Sequence, residues 1–334
     1  MNQVDTNTSW DFLLDEYFDA KYLRPDTEWS YRKVVNGFRK YYGLNRMPGE
    51  VTRRDVQQWR RHVMNIEGSS AVTWNNKVAH MRAIMNYAMK AKHILQFENP
   101  FNDVSVATDD KRKKTLSKAQ LTRVYLLMQQ RADQDSELSI AEMKRCALHP
   151  AWFWTTVLDT LRYTGMRVNQ LMHVRLMDIN LEENWIELRL DGSKTHREWR
   201  VPIVGPLKPQ LQLLINRANE NGAGSVSALF DVYRFLGTEK ERENLPPVAT
   251  LQPVKSFFRR LSKECGFAVS PHRFRHTLAT ELMKSPDRNL QMVKGLLGHR
   301  SITTTMGYID INLDVTCRTL ESELGLYLDK HSIR

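Results

Sequence analysis

The feature that most constrains this chain is a charged break, Asp109-Asp110-Lys111-Arg112-Lys113-Lys114, which closes a polar, weakly periodic stretch running from Asp103 to Thr115. A stretch this charged buries too little apolar surface to hold a core together. It therefore divides the chain into two folded parts joined by a basic linker over 103–115. The 334 residues exceed the usual single-domain size and can support two cores. We read a helical domain over 1–102, a second domain over 116–312, and an amphipathic tail over 313–334 carrying Leu313, Val315, Leu320, Leu324, Leu326 and Leu328.

The first part has helical apolar spacing throughout. Trp10–Phe18 begins one helix. Pro25 interrupts, and Thr27 caps a second helix bearing Tyr31, Val34, Val35 and Phe38 and ending near Gly43. A third starts at Thr52 and runs through His62, and a fourth follows Ser70 with Trp74, Val78, Met81, Ile84, Met85 and Ala88. Four short helices with one basic face make a compact bundle. Trp29, Tyr31, Trp59 and Trp74 occupy apolar positions and read as core.

The charge balance leaves two readings of that basic face, a phosphate-binding surface and a plain solvated helix face, and favours the first for the group as a whole. Lys and Arg number 49 against 38 Asp and Glu, a formal net charge of +11, so the chain is drawn to a polyanion. Arg39, Lys40, Arg53, Arg54, Arg60, Arg61, Lys77 and Arg82, with Lys111, Arg112, Lys113 and Lys114 of the linker, are the candidate phosphate contacts. No apolar run approaches the ~20 residues that span a bilayer, and Met1–Trp10 is too polar for a signal peptide, so a cytoplasmic location is expected. Cys146, Cys265 and Cys317 are scattered without metal-ligand spacing and read as reduced thiols.

The second part is mainly α with a small antiparallel β-sheet, an α+β pattern. Ser117 caps a helix through Val124, Leu127 and Met128. The apolar helix from Ala151 to Leu161 is broken by Gly165, which aims Arg167 from rigid backbone. Alternation over Trp185–Leu190 and Arg197–Val204 predicts two strands with Lys194 at the hairpin tip. The segments 219–250 and 132–147 read as insertions. Ser270-Pro271 opens a helix carrying His272, Arg275 and His276, with His272 and Arg275 on one face. A helix over Asn289–Leu297 ends at Gly298, and His299 and a hydroxyl-rich run (Ser301, Thr303, Thr304, Thr305) lead to Tyr308. His272 and His276 have the i, i+4 spacing of a metal pair, but no third ligand has the right context and an adjacent arginine repels a cation, so no metal is expected.

His272-x-x-Arg275, Leu297-Gly298-His299 and Tyr308, nine residues past His299, with Thr164–Ile179 and Gly192–Pro202 upstream, resemble the tyrosine recombinases, the family of phage integrases and Xer-type resolvases. The resemblance runs from about residue 10 to about residue 325. It implies a helical core-binding domain and a catalytic domain that clasp double-stranded DNA between them. It further implies a site made of Arg167, Lys194, His272, Arg275, His299 and Tyr308. Tyr308 would attack a phosphodiester to give a 3′-phosphotyrosyl bond. The arginines would neutralise the phosphorane, His299 would donate to a non-bridging oxygen, His272 would accept the tyrosyl proton and Lys194 would protonate the leaving oxygen. This chemistry needs no ATP, metal or other cofactor.

The same resemblance implies that the chain would be a site-specific recombinase working through a Holliday junction. It would act as a homotetramer on DNA coupled by the tail, with accessory DNA-bending or directionality factors. The alternatives are relaxation of the type IB topoisomerase kind and a non-catalytic DNA-binding regulator. The early start of the core-binding helices would leave no room for an arm-binding domain, so a simpler recombinase of a mobile element is expected. One departure stands out: Gln170 occupies a position where the family usually has an acid, and a neutral amide can orient Arg167 but cannot pair with its charge.

Overall fold

The structure, a computed structural model, describes residues 8–109, 113–192, 198–284, 290–299 and 301–308. The chain separates into two compact units, Met1–Lys111 and Arg112–Arg334.

The first unit is built from α1 (Trp10–Lys21), α2 (Pro25–Tyr42), α3 (Arg53–Arg61) and α4 (Ala71–Lys90). Ser9, Thr52 and Ser70 each accept a backbone N–H of the following first turn, satisfying donors that a helix start leaves unpaired. Trp59, Trp74, Phe38 and Phe101 form an edge-to-face aromatic centre. Two expectations change here. Helix α2 begins at Pro25, not at a cap on Thr27, because the fixed φ of proline suits the first helical position. Trp29 is 64% exposed with the Lys33 ammonium over its ring, so it is not core.

The stretch after Asp103 is also less free than its polarity suggests. Val104 is buried, its carbonyl accepts from the Trp74 indole at 2.8 Å, and the Asn75 amide pairs with both backbone groups of Val106. Residues 103–106 thus pack with the first unit.

The second unit is organised around α7 (Ala151–Thr164). It follows α5 (Lys118–Asp135) and the short α6 (Ile140–Met143). Ten α7 residues, including Phe153, Trp154, Val157, Leu158 and Leu161, are buried, as expected of a helix apolar on nearly every side. Its buried hydroxyls are satisfied within the helix: Thr156, Thr160 and Thr164 each donate to the carbonyl four residues back. At its start the Asp135 carboxylate accepts the Ala151 N–H at 2.6 Å, which gives part of the 132–147 segment a structural task.

After α8 (Val168–His173) come β1 (Ile179–Asn180), β2 (Trp185–Leu188) and β3 (Trp199–Pro202), an antiparallel sheet in that order, with Ile186 opposite Val201. Then follow α9 (Lys208–Glu220), α10 (Tyr233–Leu236), α11 (Glu239–Glu243), α12 (Leu251–Cys265), α13 (Pro271–Met283), α14 (Leu290–Leu297) and α15 (Ile302–Met306). The segment 219–250 is no appended insertion. Leu229 and Ala249 donate backbone hydrogen bonds to Val174 and Met172, and Leu229, Phe230, Val232 and Leu236 are buried in the main core. Sequence periodicity missed it because Leu229, Phe230 and Val232 sit in turns and Leu236 in a helix of only four residues. Among the described residues no helix is long and apolar enough to cross a membrane.

Candidate active site

Helix α7 ends where Gly165 adopts φ +62, a left-handed conformation that costs glycine little. A Cβ there would meet Leu278 Cδ2 at 2.8 Å and Leu297 Cδ2 at 3.0 Å, so α13 and α14 approach this turn closely. Arg167 follows at the N-cap of α8, half-buried. Its backbone N–H donates to Gln170 Oε1 at 2.8 Å. Gln170 therefore holds the backbone of Arg167, and its own Nε2 is buried without a hydrogen-bond partner.

Arg275, on α13, is 4% exposed. Its Nη1 donates to the Gly165 carbonyl at 2.6 Å, and its Nη2 donates to the Leu297 carbonyl at 2.6 Å and to His299 Nε2 at 2.9 Å. Because Nε2 of His299 accepts that hydrogen, the ring proton is on Nδ1, which faces Thr305 Oγ1 at 2.9 Å. Thr305 is fully buried. His299 leaves α14 through Gly298, where φ is +61 and a Cβ would stand 2.4 Å from the Trp199 ring. The indole of Trp199 donates to Leu296 O at 3.2 Å, so β3 braces the turn that carries His299.

Tyr308 is 6% exposed, stacked parallel to His299 with centroids 5.9 Å apart, and its hydroxyl meets His276 Nδ1 at 2.9 Å. The His272 ring lies 6.2 Å from that of His276, exposed on the same helix. Lys113 Nζ stands 5.7 Å from the centre of the tyrosine ring.

Burial and like charge set the electrostatics. Burial, then the Arg167 guanidinium, pulls Arg275 down to about 10, which leaves it charged at neutral pH. Burial likewise lowers Arg167. His299 falls to about 4 through burial and the two arginines, and His276 to about 4 through burial, Lys113, His272 and Arg275. Both imidazoles are neutral at pH 7. Burial raises the Tyr308 phenol against the opposing pull of Arg275 and Arg167. Two guanidiniums thus face one neighbourhood, and Arg167 Nη1 is buried with no hydrogen-bond partner. Such a donor costs roughly 1–3 kcal/mol until an acceptor arrives, and an anion with several oxygens is the acceptor that fits.

Of the residues read from sequence, Arg167, Arg275, His299 and Tyr308 converge, with His272 at the edge. Lys194, Lys111, Arg112 and the tail over 313–334 lie outside the described residues. Several basic candidates of the first unit are engaged within it. Arg82 donates to Phe101 O and Ser105 Oγ, Arg39 pairs with Asp11, Lys77 with Glu67, and Arg53 with Glu98. Lys40, Arg54 and Arg61 are exposed and Arg60 half-buried, while Lys113 and Lys114 are exposed. Sequence reasoning missed His276 and Thr305 as site residues. The first was weighed only as half of an i, i+4 metal pair with His272, the second only as one hydroxyl among several.

Residues 133–314 match the family described as the phage integrase family. A Pseudomonas syringae protein named "Putative tyrosine recombinase XerC" is 34% identical over 94% of this chain and 63% of its own length. A Pseudomonas aeruginosa protein of the same name is 34% identical over 90% and 69%. The chain thus spans less than two thirds of the first relative. Among solved structures, the Tn1549 transposon integrase in complex with a circular intermediate DNA superposes with a TM-score of 0.68 at 19% identity, covering 93% of this chain and 98% of that one. A lambda integrase tetramer bound to a Holliday junction gives 0.63 at 17%, covering 92% and 78%. At these identities the likeness is one of fold.

Proposed function

The chain belongs to the phage integrase family, and from that premise we propose that it is a site-specific DNA recombinase that cuts and rejoins strands through a 3′-phosphotyrosyl bond on Tyr308. The observation that carries the reading is the pair of guanidiniums beside a buried phenol, with one Arg167 donor unpartnered. A phosphodiester entering this space supplies the missing acceptor and offsets the mutual repulsion of Arg167 and Arg275.

In the proposed reaction the Tyr308 oxygen attacks phosphorus as the bond to the 5′ oxygen breaks, and the energy of the cut strand is kept in the phosphotyrosine. Arg167 and Arg275 hold the equatorial oxygens. His299 Nε2 is occupied by Arg275 at rest, so its donation to a phosphate oxygen requires the phosphate to take over that hydrogen bond and the ring proton to sit on Nε2. Lys194 is proposed as the acid for the leaving oxygen, since an amine can release a proton where a guanidinium cannot. The resemblance supplies His272 as base. The DNA phosphate must also reach Tyr308, which is 6% exposed at rest, by displacing what covers the ring while its hydroxyl stays on His276. Helix α15 before it is only five residues long, and so short a helix depends on its packing to stay in place.

We further propose that four copies act on a Holliday junction, as the lambda integrase tetramer is bound to one, and that the DNA served is a mobile element. Tyr308→Phe tests the core of the reading. The variant should bind DNA as the wild type does and yield no covalent protein–DNA adduct. An adduct that survives the substitution would remove Tyr308 from its role. Recovery of recombined product from two-site plasmids separates recombination from mere relaxation of supercoils.

A further inference from the structure

We propose that His276, rather than His272, takes the proton from Tyr308 when the strand is cut, and returns it when the strand is rejoined. The inference rests on the strand-transfer reading above and concerns which imidazole serves it. The tyrosine hydroxyl meets His276 Nδ1 at 2.9 Å, within the reach a proton transfer needs. The two rings lie 5.4 Å apart, while His272 is a further ring away along α13 and faces solvent.

The proton balance closes on these groups. The Tyr308 O–H bond breaks and an N–H bond forms on Nδ1 as the oxygen bonds to phosphorus. The bond from phosphorus to the 5′ oxygen breaks, and that oxygen takes its proton from the general acid, Lys194 in our reading. The imidazolium then holds its proton until a 5′ hydroxyl, giving its proton back to Lys194, attacks the phosphotyrosine and the departing phenolate takes the proton from Nδ1.

The surroundings explain why the exchange awaits DNA. His276 is faced by Lys113 from the linker, by His272 and Arg275 from its own helix, and by Tyr308 and His299 from the chain that packs over it. In that cationic company the imidazole stays neutral at rest, with Nδ1 unprotonated, and the phenol keeps its own proton. A bound phosphodiester brings the negative charge that makes an imidazolium tolerable. Proton uptake is thereby tied to substrate.

The test uses suicide duplexes, nicked so that the released fragment diffuses away and selected from a randomised pool by covalent capture on the wild-type protein. Asparagine keeps an acceptor near the Nδ1 position and cannot take up a proton. His276→Asn should therefore still fold and bind the duplex. It should form the adduct at least ~10²-fold more slowly, and its rate should rise tenfold per pH unit, because hydroxide must then ionise the phenol. A merely structural role would leave the shape of that pH profile unchanged. His276→Asn reacting within about threefold of wild type with an unaltered profile, or reacting faster, would overturn the inference, as would His272→Asn alone acquiring the hydroxide-dependent profile. If Tyr308→Phe and wild type capture DNA equally, the strand-transfer reading itself fails. Tyr308-dependent capture with an intact His276→Asn profile sinks only the present inference.

Discussion

Arg275 and Gly165 are joined across 110 positions of sequence: Nη1 of the arginine donates to the glycine carbonyl at 2.6 Å. The glycine that turns the chain toward Arg167 thus also anchors the second guanidinium. Gly165→Ala forces a left-handed residue at about 1–2 kcal/mol and drives a methyl into Leu278 and Leu297. Denaturant unfolding should report a loss of at least about 2 kcal/mol, and DNA affinity should fall with it. Unchanged affinity in a folded variant would separate the two arginines from this turn.

Arg275→Ala leaves the Gly165 and Leu297 carbonyls and His299 Nε2 without their donor. Each buried unpaired acceptor costs roughly 1–3 kcal/mol. Removing a charge that opposes Arg167 offsets part of this, so we expect a net destabilisation of about 2–4 kcal/mol. Adduct formation should drop by at least ~10²-fold. A variant as stable as wild type would contradict the hydrogen-bond accounting.

Thr305→Val keeps the side-chain shape and removes the acceptor of the His299 Nδ1 proton. The imidazole is then free to change tautomer or rotate. The expected result is a slower chemical step with DNA affinity unchanged, restored by Thr305→Ser. Equal rates for Thr305→Val and wild type would show that Arg275 alone orients the ring.

Acid should weaken the fold before it reaches the carboxylates. His276 and His299 titrate near 6.5 when unfolded and near 4 when folded, so below about pH 6.5 the unfolded chain binds protons the folded one refuses. Stability is whole above that pH and is lost progressively as pH falls toward 4. Thermal melts at pH 7 and pH 5 measure the slope, which His299→Gln should reduce. An unchanged slope in both His299→Gln and His276→Gln would place the acid sensitivity elsewhere.

The helical elements were legible because they announce themselves locally. Thr52, Ser70, Ser117 and Ser270 stand where their side chains cap helices, and the α7 apolar positions recur as an apolar helix requires. The segment 219–250 was not legible. Its contribution to the core is made by Leu229, Phe230 and Val232 in irregular backbone, where no period exists to read. Trp29 misled for the opposite reason, since an aromatic at an apolar position can still meet only a lysine and solvent.

The candidate site divides the same way. The resemblance to the tyrosine recombinases, carried by motifs at fixed intervals along the chain, was enough to nominate Arg167, Arg275, His299 and Tyr308, because a glycine turn, a capped helix and a fixed interval are local facts. Which imidazole meets the phenol is set by how α13 packs beneath the turn that carries Tyr308. That His299 accepts from Arg275 and faces a buried threonine follows from the same packing. Hydrogen bonds have lengths and directions, and these exist only once distant segments share one small volume.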